Sequence, residues 1–164
     1  MIILAFDLST TNIGWLAGTD EGFAIQHHTI VLQGKTALDR LPSASCYIER
    51  IMHDINPDTI VYESQSGRGS PNSYWHSYVI GYVILHSLNR GIVPVAIAPC
   101  AAKKALTGKG TATKDMMVDA AKPFFDELSY TEHEADALGV FYAFLNKGNT
   151  PEKKPRRRKA KGAK

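Results

Sequence analysis

Three acidic residues lie in segments that are otherwise apolar. Asp7 follows the apolar run at 2–6, Glu63 follows the run at 60–62, and Asp136 lies among alanine, leucine and valine. A carboxylate removed from water is costly unless hydrogen-bond donors or a cation replace the water. Two carboxylates that come close also raise each other's pKa unless a cation sits between them. The pattern predicts one acidic centre formed by Asp7, Glu63 and Asp136, and such oxygen ligands suit Mg²⁺ or Mn²⁺.

Structural interpretations of these segments are also open. An aspartate at a strand end often caps the following turn, and residues 9–12 could supply partners for Asp7. Residues 131–134 have the spacing of a capping box at the start of a helix. His133 lies three residues before Asp136 on the same helical face, so we expect it to be a fourth metal ligand or a proton carrier. A structural histidine at the helix start is the alternative.

A basic segment complements the acids. Four lysines fall within twelve residues that contain no acid: Lys103, Lys104, Lys109 and Lys114. Beside an acidic, metal-binding pocket such lysines suit a phosphodiester substrate, because the metals take the scissile phosphate while the lysines hold the flanking backbone. A lysine-rich loop that is merely solvated is the alternative.

The elements that position these residues follow from the apolar runs and the residues that break them. We predict strands over residues 2–6, 13–17, 23–32, 59–62 and 92–97. We predict helices over residues 38–55, 73–89, 99–105, 114–121 and 132–146, with Ser73 capping the second helix and Gly91 ending it. The first three strands form an antiparallel meander, and the last two alternate with helices. The predicted fold class is α/β, a mixed five-stranded sheet flanked by helices.

Length and charge indicate one folded domain with a basic extension. The chain has 164 residues, of which 44% are hydrophobic and 21% charged, ordinary values for a globular protein. Eight of the 19 basic residues fall within 152–164 beside a single acid, which leaves 11 basic and 15 acidic residues elsewhere, a formal charge of −4. We predict a domain over 1–148 and a disordered tail over 149–164 that binds phosphate non-specifically. A solubility tail or a localisation signal is the alternative.

The sequence also indicates the compartment. No run of 18 apolar residues is present, so we expect neither a transmembrane helix nor a membrane partner. The N-terminus lacks the basic start of a secretory signal. The two cysteines, Cys46 and Cys100, form neither a zinc motif nor a disulfide framework. We expect a cytoplasmic protein.

Four segments resemble the three catalytic blocks and the lysine-bearing loop of the RuvC-type Holliday junction resolvases, which belong to the ribonuclease H-like superfamily. They are residues 3–14, 60–63, 103–114 and 133–139, in the family's order, and the match extends from residue 1 to about 145. The resemblance implies a ribonuclease H-like fold. It also implies a homodimer that binds four-way DNA junctions and nicks two strands of like polarity, and it suggests a bacterial or bacteriophage origin.

The same resemblance implies roles for individual residues. It implies a two-metal hydrolysis that leaves 5′-phosphates and uses two Mg²⁺ ions, which Mn²⁺ could replace. The implied ligands are Asp7, Glu63, His133 and Asp136. It also implies that Lys103 and Lys114 contact DNA near the cut. The full set of DNA contacts that we expect is Lys103, Lys104, Lys109, Lys114 and Arg68.

One position departs from the family pattern. Family members often place an aromatic residue three positions after the second carboxylate, where it wedges into the junction, and this chain has Ser66 there. Tyr74 or Trp75 could replace it by stacking on a base, with core packing of their helix as the alternative. The preference among junctions, forks and flaps therefore depends on the loop at 65–73.

Two other classes of protein fit parts of the sequence. A phosphate- or ATP-binding domain of the actin-like superfamily shares the β-hairpin core, and its turn at 7–14 could hold phosphate, although such proteins usually need two domains. A non-catalytic protein that binds branched DNA would use the tail and the lysines. It would have no need for the three acids.

Overall fold

Five strands form one mixed sheet in the order β3-β2-β1-β4-β5. The computed structural model describes residues 1–65, 71–125 and 130–148. The strands are β1 (Ile2–Leu8), β2 (Asn12–Thr19), β3 (Ala24–Val31), β4 (Thr59–Glu63) and β5 (Val95–Ile97). The first three pair as an antiparallel meander, and β4 and β5 join parallel to β1. The predicted α/β class and the mixed five-stranded sheet are confirmed.

Helices cover both faces of the sheet. They are α1 (Ala37–Ile55), α2 (Pro71–Leu88), α3 (Pro99–Thr107), α4 (Lys114–Ala121) and α5 (Glu132–Gly148). One apolar core lies between the sheet and α1 with α2, and a second lies between the sheet and α3, α4 and α5. No helix in the described ranges is long and apolar enough to cross a membrane.

β1 is buried on both faces, and the alternation of its side chains determines which layer Asp7 faces. Its side chains alternate between the layers, with Ile3 and Ala5 in the core under α5 and Leu4 and Phe6 in the core under α1. All four are fully buried. Asp7 continues the first set, so its carboxylate faces the layer that contains α5.

Two element starts differ from the prediction by more than one residue. β5 begins at Val95 instead of residue 92, because Pro94 has no N–H to donate to the ladder with β4. α2 begins at Pro71, so Ser73 lies inside the first turn and does not cap the helix. A proline is suited to the first turn of a helix because the N–H groups there have no intrahelical partner.

The structure also differs from the prediction at the end of α3 and after α4. α3 continues to Thr107 and ends where Gly108 adopts the left-handed conformation with φ 79°, donating its N–H to the carbonyl of Lys104. A short 3₁₀ turn, Lys122–Phe124, follows α4. The lysine-bearing region is therefore more helical than the sequence indicated.

Candidate active site

Two of the predicted acids emerge at the same edge of the sheet. β1 and β4 are parallel neighbours, with Phe6 opposite Tyr62. Asp7 and Glu63 are the next residues on the two strands, so both lie at the carboxyl end of their strand. The charge of Asp7 acts on Glu63 and on Asp136. The structure therefore brings the three acids of the predicted centre together.

Gly14 allows α5 to reach this edge. It lies opposite Asp7 in the ladder between β1 and β2. A Cβ atom at residue 14 would lie 2.4 Å from the backbone oxygen of His133, so only a residue without a side chain lets the first turn of α5 pack on β2. This close approach places His133 and Asp136 beside Asp7.

The pKa values of two acids are raised by burial and by their acidic neighbours. Burial raises the pKa of Glu63 to about 8, and the negative charges of Asp7 and Asp136 contribute to the increase. Burial and the charge of Asp7 raise the pKa of Asp136 to about 6. Neither carboxylate has enough opposite charge around it to favour ionisation. Such an arrangement is typical of functional sites.

His133 is the direct partner of Asp7. Its Nδ1 lies 2.7 Å from Asp7 Oδ2, and this hydrogen bond is the largest of the effects that raise the pKa of the imidazole. The turn after β1 does not use Asp7 as a cap. Ser9 accepts hydrogen bonds there from the backbone N–H groups of Thr11 and Asn12. The capping interpretation of Asp7 is therefore wrong.

The four lysines of the basic segment divide into two pairs. Lys103 lowers the pKa of Glu63 and Asp136, and Lys114 lowers that of Asp136. Lys114 Nζ also donates a hydrogen bond to Glu132 Oε1 at 2.7 Å. Lys104 and Lys109 are exposed and are not among the charges that act on these two acids.

The donor set has the chemistry of a site for a hard cation. Three carboxylates supply the oxygen ligands that Mg²⁺ and Mn²⁺ prefer, and a cation would relieve the mutual repulsion of the acids. As they stand, no three histidine, cysteine, aspartate or glutamate side chains in the described part of the chain are arranged to hold one ion. Asp7 is instead engaged by His133.

Two histidines near the site were not singled out from the sequence. His76, on α2, interacts with the charge of Asp7 and the backbone of Leu8, and burial lowers its pKa. Its Nε2 is buried and has no hydrogen-bond partner among the described residues. His27, on β3, pairs with the carboxylate of Glu134. Their spacing in the sequence carried no signal, because each contact joins elements that lie far apart along the chain.

The remaining predicted residues are placed only in part. Arg68, Ser66 and the tail at 149–164 lie outside the described residues. Tyr74 is 70% exposed, so core packing is wrong for this residue. Trp75 is partly buried and packs against Tyr78, with ring centroids 5.8 Å apart.

Comparison with known proteins gives similarity at the level of structure. No protein-family model and no curated protein matches the sequence. RuvC of Thermus thermophilus matches with a TM-score of 0.74 and 21% identity, over 92% of this chain and 98% of that one. The same protein in complex with a Holliday junction substrate matches with a TM-score of 0.74 and 20% identity, over 90% and 96%.

A viral protein gives a second comparison. The Fowlpox virus resolvase in complex with Holliday junction DNA matches with a TM-score of 0.62 and 16% identity, over 92% of this chain and all of that one. These structures cover nearly all of both chains, so the similarity concerns the whole fold. The chain has the ribonuclease H-like fold of the RuvC-type Holliday junction resolvases.

Proposed function

We propose that the protein is a metal-dependent endonuclease that resolves four-way or other branched DNA by nicking. One observation supports this proposal above the others. Asp7, Glu63 and Asp136 converge at one edge of the sheet, with His133 bonded to Asp7, in a fold shared with junction resolvases. Comparison structures in complex with Holliday junctions support four-way DNA as the substrate class.

The same four residues would hold the metal ions. Two Mg²⁺ ions, or Mn²⁺ in their place, would when bound supply an activated water and stabilise the charge that develops on the scissile phosphate, leaving a 5′-phosphate. Asp7, whose charge acts on both other acids, would contribute to holding both ions. Because His133 Nδ1 donates to Asp7 Oδ2, His133 would bind an ion through Nε2 or would have to give up this bond.

The lysines near the acids would hold the DNA backbone. Lys103 is partly buried and close enough to Glu63 and Asp136 to lower their pKa, so it would contact the phosphate at the cut. Lys114 is bonded to Glu132 and exposed. A phosphate would compete with Glu132 for it. Lys104, Lys109 and the tail would add contacts whose strength falls with salt.

The exposed face of α2 supports the homodimer. Its members are spaced alternately by four and three residues: Tyr74, Tyr78, Gly81, Leu85 and Leu88. The four side chains are each more than half exposed, and a Cβ at Gly81 would meet nothing within 4 Å. Residues with this spacing lie along one side of a helix, where a second helix can pack, and we call these five residues the α2 seam. Pairing of two copies along it would match the two-fold symmetry of an open junction.

The decisive experiment uses a labelled four-way junction, with linear duplex and a fork as controls. We expect nicking of the junction in Mg²⁺ or Mn²⁺, and no nicking in EDTA. Asp7→Asn should abolish cleavage and retain junction binding, because it removes a metal ligand and no DNA contact. Metal-dependent cutting by this variant at the wild-type rate would contradict the proposal.

The alternatives predict different outcomes in the same assay. An actin-like ATP-binding domain would be stabilised against heat by ATP and would leave the junction intact. A non-catalytic DNA-binding protein would bind the junction and form no product at any metal concentration.

A further inference from the structure

Glu134 is a buried carboxylate on the first turn of α5, the turn that also carries His133. Only 3% of its surface is exposed, and it lies between His133 and Asp136 along α5. Its Oε2 is paired with Nδ1 of His27, and Thr131 donates a hydrogen bond to its Oε1 at 3.3 Å. Burying this carboxylate would be costly without these partners. The capping box predicted for residues 131–134 therefore explains only part of its surroundings.

The contact with β3 involves more than one pair. Two residues beyond His27, on the same side of the strand, Thr29 Oγ1 lies 2.5 Å from Thr131 Oγ1. The ring of His27 also packs on Phe125, with centroids 4.1 Å apart. The edge strand is thus tied at two points to the residues at which α5 begins.

This attachment has a direct consequence for the site. The first turn of α5 already lies against the backbone at Gly14, where there is no room for it to move inwards. The ties to β3 restrain the same turn laterally. His133 and Asp136, which must face Asp7, sit on this turn and the next one.

We propose that His27 and Glu134 are positioning residues, which hold the first turn of α5 so that His133 and Asp136 face Asp7. The proposal rests on the function proposed above, since it concerns the same site. Neither residue would touch a metal ion or DNA. Their effect would pass through the placement of His133 and Asp136, as for partners that orient metal ligands from behind.

The competing explanation is that the pair only stabilises the fold. A matched control is available on the other face of the sheet, where His86 is buried and its Nε2 lies 3.0 Å from Ser45 Oγ between α1 and α2. His86→Gln disturbs the hydrogen bond between a buried histidine and a serine, on the face of the sheet away from α5. It should lower the melting temperature without changing the site.

The experiment compares wild type, Glu134→Ala, Glu134→Gln and His86→Gln in two measurements at a temperature where all are folded. The first is the ¹⁵N spectrum of the imidazoles, which reports the bond between His133 Nδ1 and Asp7. The second is calorimetric titration with Mn²⁺. We expect Glu134→Ala to perturb the His133 signals and to weaken Mn²⁺ binding roughly 10- to 100-fold. Glu134→Gln, which still accepts hydrogen bonds, should restore most of both.

A double-mutant cycle with His27→Ala tests whether the two residues act as a unit. The double variant should weaken Mn²⁺ binding no more than the more damaging of the two single variants does, because that single substitution has already broken the pair. In cleavage of the four-way junction, the single and double variants should lower kcat and leave KM close to the wild-type value.

The outcomes separate the two proposals. Unchanged His133 signals in Glu134→Ala, or an equal loss of Mn²⁺ affinity in His86→Gln, would overturn the positioning role. Wild-type protein that neither binds Mn²⁺ nor cuts DNA would overturn the proposed nuclease, while the His133 spectra would still decide whether the pair positions the helix.

Discussion

The ionisation of Glu63 is opposed by its surroundings in the metal-free protein. Burial and the charges of Asp7 and Asp136 raise its pKa to about 8, and Asp136 follows with a pKa of about 6. Both values lie above those of an unfolded chain, so the folded protein holds more protons between about pH 4 and pH 8. The stability that comes from these groups is present at low pH and is lost as pH rises through 6 and then 8.

This sign gives a prediction for the metal-free protein. Its free energy of unfolding in EDTA should fall between pH 5 and pH 8.5 by a few kcal/mol, at about 1.4 kcal/mol for each pKa unit. Glu63→Gln should remove most of that dependence on pH. In the wild-type protein, addition of Mn²⁺ at pH 8.5 should restore the stability that is lost in EDTA. Urea unfolding at several pH values measures the free energy of unfolding. An equally steep slope in Glu63→Gln would contradict the assignment of the slope to this residue.

A second prediction concerns Gly14. Gly14→Ala would place a methyl group 2.4 Å from the backbone oxygen of His133, so the start of α5 has to move away from β2. We expect a loss of stability of about 1–3 kcal/mol, as for other overpacked sites, together with loss of junction cleavage. Urea unfolding and the nicking assay measure the two effects. Wild-type cleavage by a fully folded Gly14→Ala would show that the close approach is dispensable.

At the scale of elements, the exposed seam of α2 yields a prediction about assembly. Leu85→Glu would place a charge within the proposed helix pair and should convert the proposed dimer into a monomer, as measured by light scattering after size exclusion. Val93→Glu is the control, because Val93 is 77% exposed outside the seam. A dimer that survives Leu85→Glu would place the interface elsewhere. We expect the monomeric variant to lose paired nicking of the junction.

The sequence predicted those elements whose apolar pattern is decided locally. β1 was recognisable because a strand buried on both faces is apolar throughout. The end of α3 was missed by two residues, since Ala105 and Thr107 are both compatible with a helix and only Gly108 ends it. The start of α2 was missed because Ser73 looks like a cap while Pro71 is equally suited to a first turn.

The candidate site was predictable in its acids and much less so in what surrounds them. Asp7, Glu63 and Asp136 could be found because a carboxylate is conspicuous within an apolar segment. His76 and the pair of His27 with Glu134 could not, since their roles depend on which distant elements come into contact. A histidine in an exposed strand or an aromatic helix has no local pattern that reveals such a contact.

At the scale of the whole molecule, the site is assembled from elements that lie far apart along the chain, β1 and α5. The bond between His133 and Asp7 joins residues 126 positions apart. During synthesis, β1 emerges from the ribosome long before the helix that completes the acidic centre. A nascent chain that stops short of α5 has Asp7 and Glu63 but lacks His133 and Asp136. If the acidic centre cuts DNA as proposed, the protein should therefore be unable to do so until α5 has been made and has packed on β2, and a variant truncated before residue 132 should leave the junction intact in the nicking assay.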